Sequence, residues 1–197
     1  MRAKGPGQSV LLLLDVLDVL NKLHVPYAII GAFAASFYGA VRASMDADAM
    51  ISLRQGQMDV KTLIAQLQET GLKIAYRKGD FNDPIGALIN IEDSFHNRVD
   101  LLMNIRGTQE IVFSRTVKAD FMGTQIQLIG IEDFIALKVF AGSPKDINDV
   151  IGVLQVSYDQ INLALLKQVV RNYGWEGSFK SVRVFIAPHQ EALNVRA

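Results

Sequence analysis

The sharpest pattern in the chain lies at residues 45–53, where polarity alternates. Met45, Ala47, Ala49, Ile51 and Leu53 fall on one face, and Asp46, Asp48, Met50 and Ser52 on the other. Alternation of period two predicts a β-strand. Residues two apart on a strand share a face, so Asp46 and Asp48 stand side by side, roughly 7 Å apart. Like charges so placed repel each other, and stability alone rarely selects them in an apolar strand. A hard cation such as Mg²⁺ takes oxygen ligands and reverses the sign of that interaction. Just upstream, Pro26 introduces a short apolar strand over Tyr27 to Ile30, Gly31 supplies a turn, and a short helix runs to Gly39.

The other elements follow from the same reasoning. Ser9 is placed to cap a helix reaching about His24, with Leu13, Val16, Leu17, Leu20 and Leu23 on its apolar stripe. Arg54 to Gln57 reads as a turn. A helix from about Met58 to Thr70 buries Val60, Leu63, Ile64 and Leu67, and Gly71 stops it. Strands are predicted at Leu72 to Arg77, Ile85 to Ile91 and Arg98 to Asn104, with a loop tip at Lys78 to Pro84. Asp100 is an acid inside an apolar strand, the same anomaly as Asp46 and Asp48. Its bland alternative is an edge-strand acid facing water. Glu92, Asp93 and His96 share a connection, which reads as a solvated loop because their spacing demands no metal.

Further on, Gln109 to Arg115 is a short helix or irregular, and Phe121 to Leu128 is a hairpin or late edge strand. A helix over Glu132 to Ala141 ends at Gly142. Ser143, Pro144 and Asp146 then fit the N-cap, first and third positions of the next helix, a capping box that gives Asp146 a structural role. Asp159 opens a last helix to about Asn172, closed by Tyr173-Gly174-Trp175. Beyond it Val182, Val184 and Ile186 hint at a strand, and His189 has no evident partner.

Composition changes this picture little. At 197 residues the chain suits one medium domain or a domain with a helical appendage. Lys plus Arg equals Asp plus Glu at 20 each, so no global charge draws it to nucleic acid. With no cysteine there is neither a disulfide framework nor a thiolate metal site. The uncharged run from Val25 to Val41 is short of the ~20 residues a membrane span needs, and Pro26, Gly31 and Gly39 interrupt it. The apolar run at Val10 to Leu14 is broken by Asp15 and Asp18 before it can serve as a signal peptide. A cytoplasmic protein with no membrane segment is the expectation.

Taken in order, Gly31-Ala32, Gly39, Arg42, Ser44, Asp46 and Asp48 resemble the motif of the nucleotidyltransferase superfamily. There an apolar strand, Gly-Gly or Gly-Ser, a short helix ending in glycine, Arg-x-Thr and a strand-borne Asp-x-Asp succeed one another. Ala32 stands where that family has Gly or Ser, so a hydroxyl contact to phosphate is missing, and Ser44 replaces Thr while keeping the hydroxyl. The run from Ala136 to Val150 resembles the C-terminal segment of small AbiEii/AbiGii toxin-type members, with Lys138 and Asp146 at the positions of their lysine and later aspartate.

The resemblance implies an α/β (α+β) fold with a small mixed sheet, flanking helices and a helical C-terminal segment. It divides the chain into a nucleotidyltransferase core, 1–130, and a helical segment packed on it, 131–197. It implies a metal-dependent transfer of a nucleoside monophosphate from a nucleoside triphosphate to an acceptor hydroxyl, on RNA, a protein or a small molecule, in a toxin–antitoxin setting with an antitoxin protein as partner. Asp46, Asp48 and Asp100 would hold Mg²⁺ or Mn²⁺, and Lys138 would join them in catalysis. Gly31, Ala32, Arg42 and Ser44 would line the nucleotide site, although Arg42 either contacts phosphate or pairs with a carboxylate. The alternative is a degenerate member that binds nucleotide or a partner protein without turnover.

Overall fold

The computed structural model describes residues 1–53 and 58–173. The expected turn at Arg54 to Gln57 and the expectations for Gly174-Trp175, Val182, Val184, Ile186 and His189 lie outside them. Helix α1 (Ser9–Lys22) is followed by β1 (Tyr27–Ile29), α2 (Gly31–Phe37), β2 (Asp46–Ile51) and α3 (Val60–Gln68). Then come β3 (Lys73–Lys78), β4 (Ile85–Glu92) and β5 (Arg98–Ile105), a 3₁₀ turn at Glu110–Ser114, and the hairpin β6 (Val117–Phe121) and β7 (Thr124–Leu128). Helices α4 (Ile131–Ala141), α5 (Pro144–Ser157) and α6 (Leu163–Asn172) complete the described chain.

The strands form one seven-stranded sheet in the order β3-β4-β5-β2-β1-β7-β6. It is mixed: β2 and β5 are parallel, as are β1 and β7, and the other pairs are antiparallel. One face of its centre is apolar throughout, with Ala47, Ala49 and Ile51 of β2 beside Val99, Leu101 and Met103 of β5 and Ala87, Ile89 and Ile91 of β4, all buried. Helix α1 packs on β2 and β5, and α3 on β3. Helix α4 is buried on nearly every side, and its Phe134, Ile135 and Val139 belong to the same core as the sheet.

The alternating strands and long helices match the expected mixed α/β architecture. Three details do not. Ser9 is no cap: it is the first residue of α1, whose cap position is Gln8. Its buried hydroxyl instead donates to the Met45 carbonyl at 2.7 Å and accepts from the Arg98 amide at 3.0 Å, tying together the starts of β2 and β5. Asp59, not Met58, opens α3, where its carboxylate accepts from the Thr62 amide. Asp159 lies in a 3₁₀ turn, Tyr158–Gln160, and α6 starts later, capped by Asn162. The Glu132 carboxylate accepts from the Asn162 amide at 2.7 Å, which fixes that start against α4.

The segment joining α2 to β2 is pinned to α5. Gly39 has φ +101, and a Cβ there would lie 2.5 Å from Val156, so the close approach requires glycine. Ser157 adds a hydrogen bond to the Tyr38 carbonyl at 3.0 Å.

Candidate active site

Parallel pairing puts Asp48 directly beside Asp100 and Asp46 beside Arg98. The three carboxylates of Asp46, Asp48 and Asp100 therefore converge, each offering one oxygen within 4.8 Å of the others. Two neighbours orient them. Ser44 Oγ donates to Asp46 Oδ1 at 2.6 Å, and Asn90 Nδ2, from the adjoining strand, donates to Asp100 Oδ1 at 2.7 Å. Asp48 is the most affected: burial, then the charges of Asp46 and Asp100, push its carboxyl from 3.8 to about 6, against a smaller opposing pull from Lys138 and Arg42.

This donor set fits a divalent cation. All the converging atoms are hard carboxylate oxygens, the ligands that Mg²⁺ and Mn²⁺ prefer, and the Asp48 carboxyl is raised first by burial and then by the charges of Asp46 and Asp100, both of which a bound cation would offset. The three acids are the only such metal-ligating group among the described residues. Glu92, Asp93 and His96 form none. Glu92 pairs with His96 at 3.0 Å, and Asp93 is buried, contrary to the solvated loop expected, where it accepts from the Phe95 and Asn97 amides.

Gly31 sits against this cluster. Its φ is +64, and a Cβ would stand 2.0 Å from Asp48 Oδ2. Gly31→Ala thus has to move the Asp48 carboxylate as well as adopt a left-handed conformation. The expected result is a stability loss of roughly 1–2 kcal/mol from the backbone alone and weaker binding of a divalent cation by the displaced Asp48 carboxylate. Chemical denaturation and calorimetry on the variant check both. Ala32 is buried in α2 behind Gly31, which forms the cavity wall at this point.

Four further charges form a compensated network. Arg42 reaches Asp149 through two bonds, Nε to Oδ1 at 2.7 Å and Nη2 to Oδ2 at 3.2 Å. Lys138 Nζ lies 2.7 Å from Asp146 and 2.9 Å from Asp149. Burial would raise both carboxyls, but Lys138 and Ser143 at Asp146, and Arg42 and Lys138 at Asp149, more than offset it and hold both below 3.8. Arg42 thus takes the carboxylate role rather than standing open for phosphate. Asp146 completes the expected capping box with Ser143 and also carries the bond to Lys138.

Two hollows flank the acids. A cavity of about 470 Å³ is lined by Gly31, Asp48, Lys138 and Asp146 at a charged part and by Pro84, Ile85, Ile105, Leu137 and Phe140 at an apolar part, with Arg106 beside them. A second cleft, about 280 Å³, is lined by Asp46 and Asp100 together with Lys73, Asn90, Glu92 and Arg98. Of the residues singled out in the sequence, Gly31, Asp48, Lys138 and Asp146 line the first, and Asp46, Glu92 and Asp100 the second, while Ala32, Arg42 and Ser44 line neither. Sequence reasoning missed Asp149, Asn90 and Arg106. Asp149 did leave a signal, since it falls three residues after Asp146 and next to Val150 on an amphipathic helix.

The sequence matches no family model and no curated protein. The fold, however, is similar to that of solved structures. They include an antigenic nucleotidyltransferase-like protein from Paracoccidioides brasiliensis (16% identity over 91% of this chain and 94% of that one, TM-score 0.53). The antibiotic-resistance factor ANT(2″)-Ia aligns over 94% of this chain and 98% of its own at 12% identity, with a TM-score of 0.56. A nucleotidyltransferase-type protein from Thermotoga maritima aligns over 80% and 97% at 11% identity, with a TM-score of 0.54. At these identities the likeness is one of fold. No helix among the described residues is long and apolar enough to cross a membrane.

Proposed function

We propose that this nucleotidyltransferase-like chain transfers a nucleoside monophosphate from a nucleoside triphosphate to an acceptor hydroxyl. The observation that carries this reading is the convergence of Asp46, Asp48 and Asp100 at the junction of two hollows. Two substrates approaching from opposite sides meet at one set of acids, the arrangement a group transfer needs. The triphosphate takes the 470 Å³ cavity, which is within the size range of ligand pockets, and the acceptor takes the cleft beside Asp46 and Asp100.

Asp46, Asp48 and Asp100 would hold Mg²⁺ or Mn²⁺. When bound, such a cation neutralises charge on the triphosphate and lowers the pKa of an acceptor hydroxyl. Asp100, kept in one orientation by Asn90, takes the proton from that hydroxyl. The acceptor oxygen bonds to the α-phosphorus as the bond to the bridging oxygen breaks and pyrophosphate leaves. Gly31 lets the phosphates approach the backbone, and Lys138 places a positive charge in the same cavity. Arg42 acts at one remove: with Asp149 it fixes the segment that delivers Ser44 and Asp46.

The acceptor follows less from geometry than from the cleft's chemistry. Lys73 and Arg98 alternate there with Glu92, Asp46 and Asp100, which suits a hydroxyl-rich polar molecule better than a polyanion. A fold neighbour, ANT(2″)-Ia, was solved with adenylyl-2″-tobramycin, so a small-molecule acceptor is within the reach of this fold. The resemblance of residues 136–150 to AbiEii-type toxins supports the other setting, a toxin with an antitoxin partner.

Incubation with Mg²⁺ or Mn²⁺, each α-labelled nucleoside triphosphate and cell extract is expected to transfer label and release pyrophosphate. Binding of nucleotide with no pyrophosphate release from any triphosphate or extract would instead support the degenerate binding member.

A further inference from the structure

The sheet ends in two open edges, and one of them complements itself. Among the described residues no strand lies beyond β3 at one end or β6 at the other. An open edge is a template for another strand, and charges on it discourage pairing. Strand β3 is blunted in this way, since it carries Lys73, Arg77 and Lys78 and no acid. Pairing β3 antiparallel with a second copy of itself about its middle sets Lys73 against Arg77 or Lys78, and like charges so opposed repel.

Strand β6 reads Val117-Lys118-Ala119-Asp120-Phe121, one base and one acid placed symmetrically about Ala119. Its hairpin register decides which backbone groups are already spent. Met122 and Gly123, with φ +53 and +76, form a two-residue turn closed by the pair Phe121 and Thr124. Alternate pairs of an antiparallel ladder exchange hydrogen bonds, so Val117, Ala119 and Phe121 direct their amides and carbonyls at β7. The same parity holds along β7, where the Ile129 amide turns the other way and donates to Ile29 of β1 at 3.0 Å. Lys118 and Asp120 therefore turn their amides and carbonyls outward to the open edge.

A two-fold axis through Ala119 uses all four of those groups. Lys118 of one copy lies opposite Asp120 of the other, and each such pair exchanges two backbone hydrogen bonds. Opposed side chains stand ~5 Å apart, so each lysine meets an aspartate. Asp120 accepts from the Gly123 amide through Oδ1 at 3.1 Å and keeps acceptor capacity for the lysine. On the other face of the strand Val117, 38% exposed, meets Phe121, whose ring is held edge-on against Phe33 of α2 at 5.0 Å.

We propose that β6 is a self-association edge, through which two copies of this chain pair antiparallel about Ala119 and join their sheets into one. Strands β7 and β1 separate β6 from β2. At ~4.8 Å per strand the acids lie about 14 Å across the sheet from the junction, and each copy keeps its own set.

The test is sedimentation equilibrium on the full chain, loaded from ~5 to ~200 μM because so short a junction is a weak one. The weight-average mass of the wild type is expected to rise from 21.8 kDa toward twice that value. Lys118→Glu opposes acid to acid and Asp120→Lys opposes base to base, so each variant alone should associate about tenfold more weakly. An equimolar mixture of the two variants restores opposite charges at both positions and should regain wild-type association as a heterodimer. That recovery requires both variants to be folded, and melting temperatures check Asp120→Lys, which loses its bond to Gly123. A wild type that stays at 21.8 kDa across the whole range would overturn the inference. So would a dimer that both single variants leave intact, which places the junction elsewhere, or a mixture of folded variants that stays monomeric.

Discussion

Asp48→Asn is expected to raise the melting temperature of the metal-free protein at pH 8 by roughly 5–10 °C while abolishing metal-dependent nucleotide binding. The native Asp48 carboxyl sits at about 6 against an ordinary 3.8, chiefly from burial and then from Asp46 and Asp100. The native state thus holds its proton more tightly than the unfolded state, so stability is fully present below pH 3.8 and is lost as pH rises through about 6. Ionising this group costs on the order of 3 kcal/mol by pH 8, and each kcal/mol is worth about 2–4 °C in a chain of this size. An amide at position 48 removes that cost, so the variant should melt at nearly the same temperature across pH 4–7 while the wild type declines. Asp46→Asn should act in the same direction with a smaller gain, since Asp46 is exposed. Scanning calorimetry in chelator from pH 4 to pH 8 measures it. A drop of several degrees in Asp48→Asn would make the acid a structural group.

Lys138→Met has the opposite sign. It leaves Asp146 and the nearly fully buried Asp149 with Arg42 as their only cation in the network. Removing one partner from a buried ion-pair group costs roughly 3–5 kcal/mol, because Arg42 alone then has to balance two carboxylates, one of them nearly fully buried. A fall of roughly 10 °C or more in melting temperature is expected. Adding Asp146→Asn restores a neutral network of Arg42 and Asp149, so the double variant should recover much of the stability. It should not recover nucleotide affinity, since the cavity still lacks its lysine. If the double variant were no more stable than Lys138→Met, the four charges would not act as one network. Full nucleotide affinity in Lys138→Met would remove that residue from the phosphate site.

The elements that carry the acids were readable because their chemistry broke a local pattern. Asp46, Asp48 and Asp100 stood out as acids in alternating apolar strands, and parallel register then brought Asp48 beside Asp100. Gly142 and the Ser143-Pro144-Asp146 start of α5 were readable because capping is a local interaction. Residues whose partners lie far along the chain were not. Arg42 meets Asp149 across 107 positions, and the sequence could not choose between phosphate and carboxylate for it. Ser9 looked like a cap by position, yet its hydroxyl spends both its bonds across the sheet on Met45 and Arg98. Near α6, Asp159 and Asn162 are both competent caps, and a contact from Glu132 on another helix decided between them.

Titration of nucleoside triphosphate into the wild-type chain, once in Mg²⁺ and once in chelator, bears most directly on the central claim that the three acids form a metal-dependent nucleotide site. Binding is expected in Mg²⁺ and is expected to vanish both in chelator and in Asp48→Asn. Equal affinity with and without the metal, or unaltered affinity in Asp48→Asn, would contradict the account.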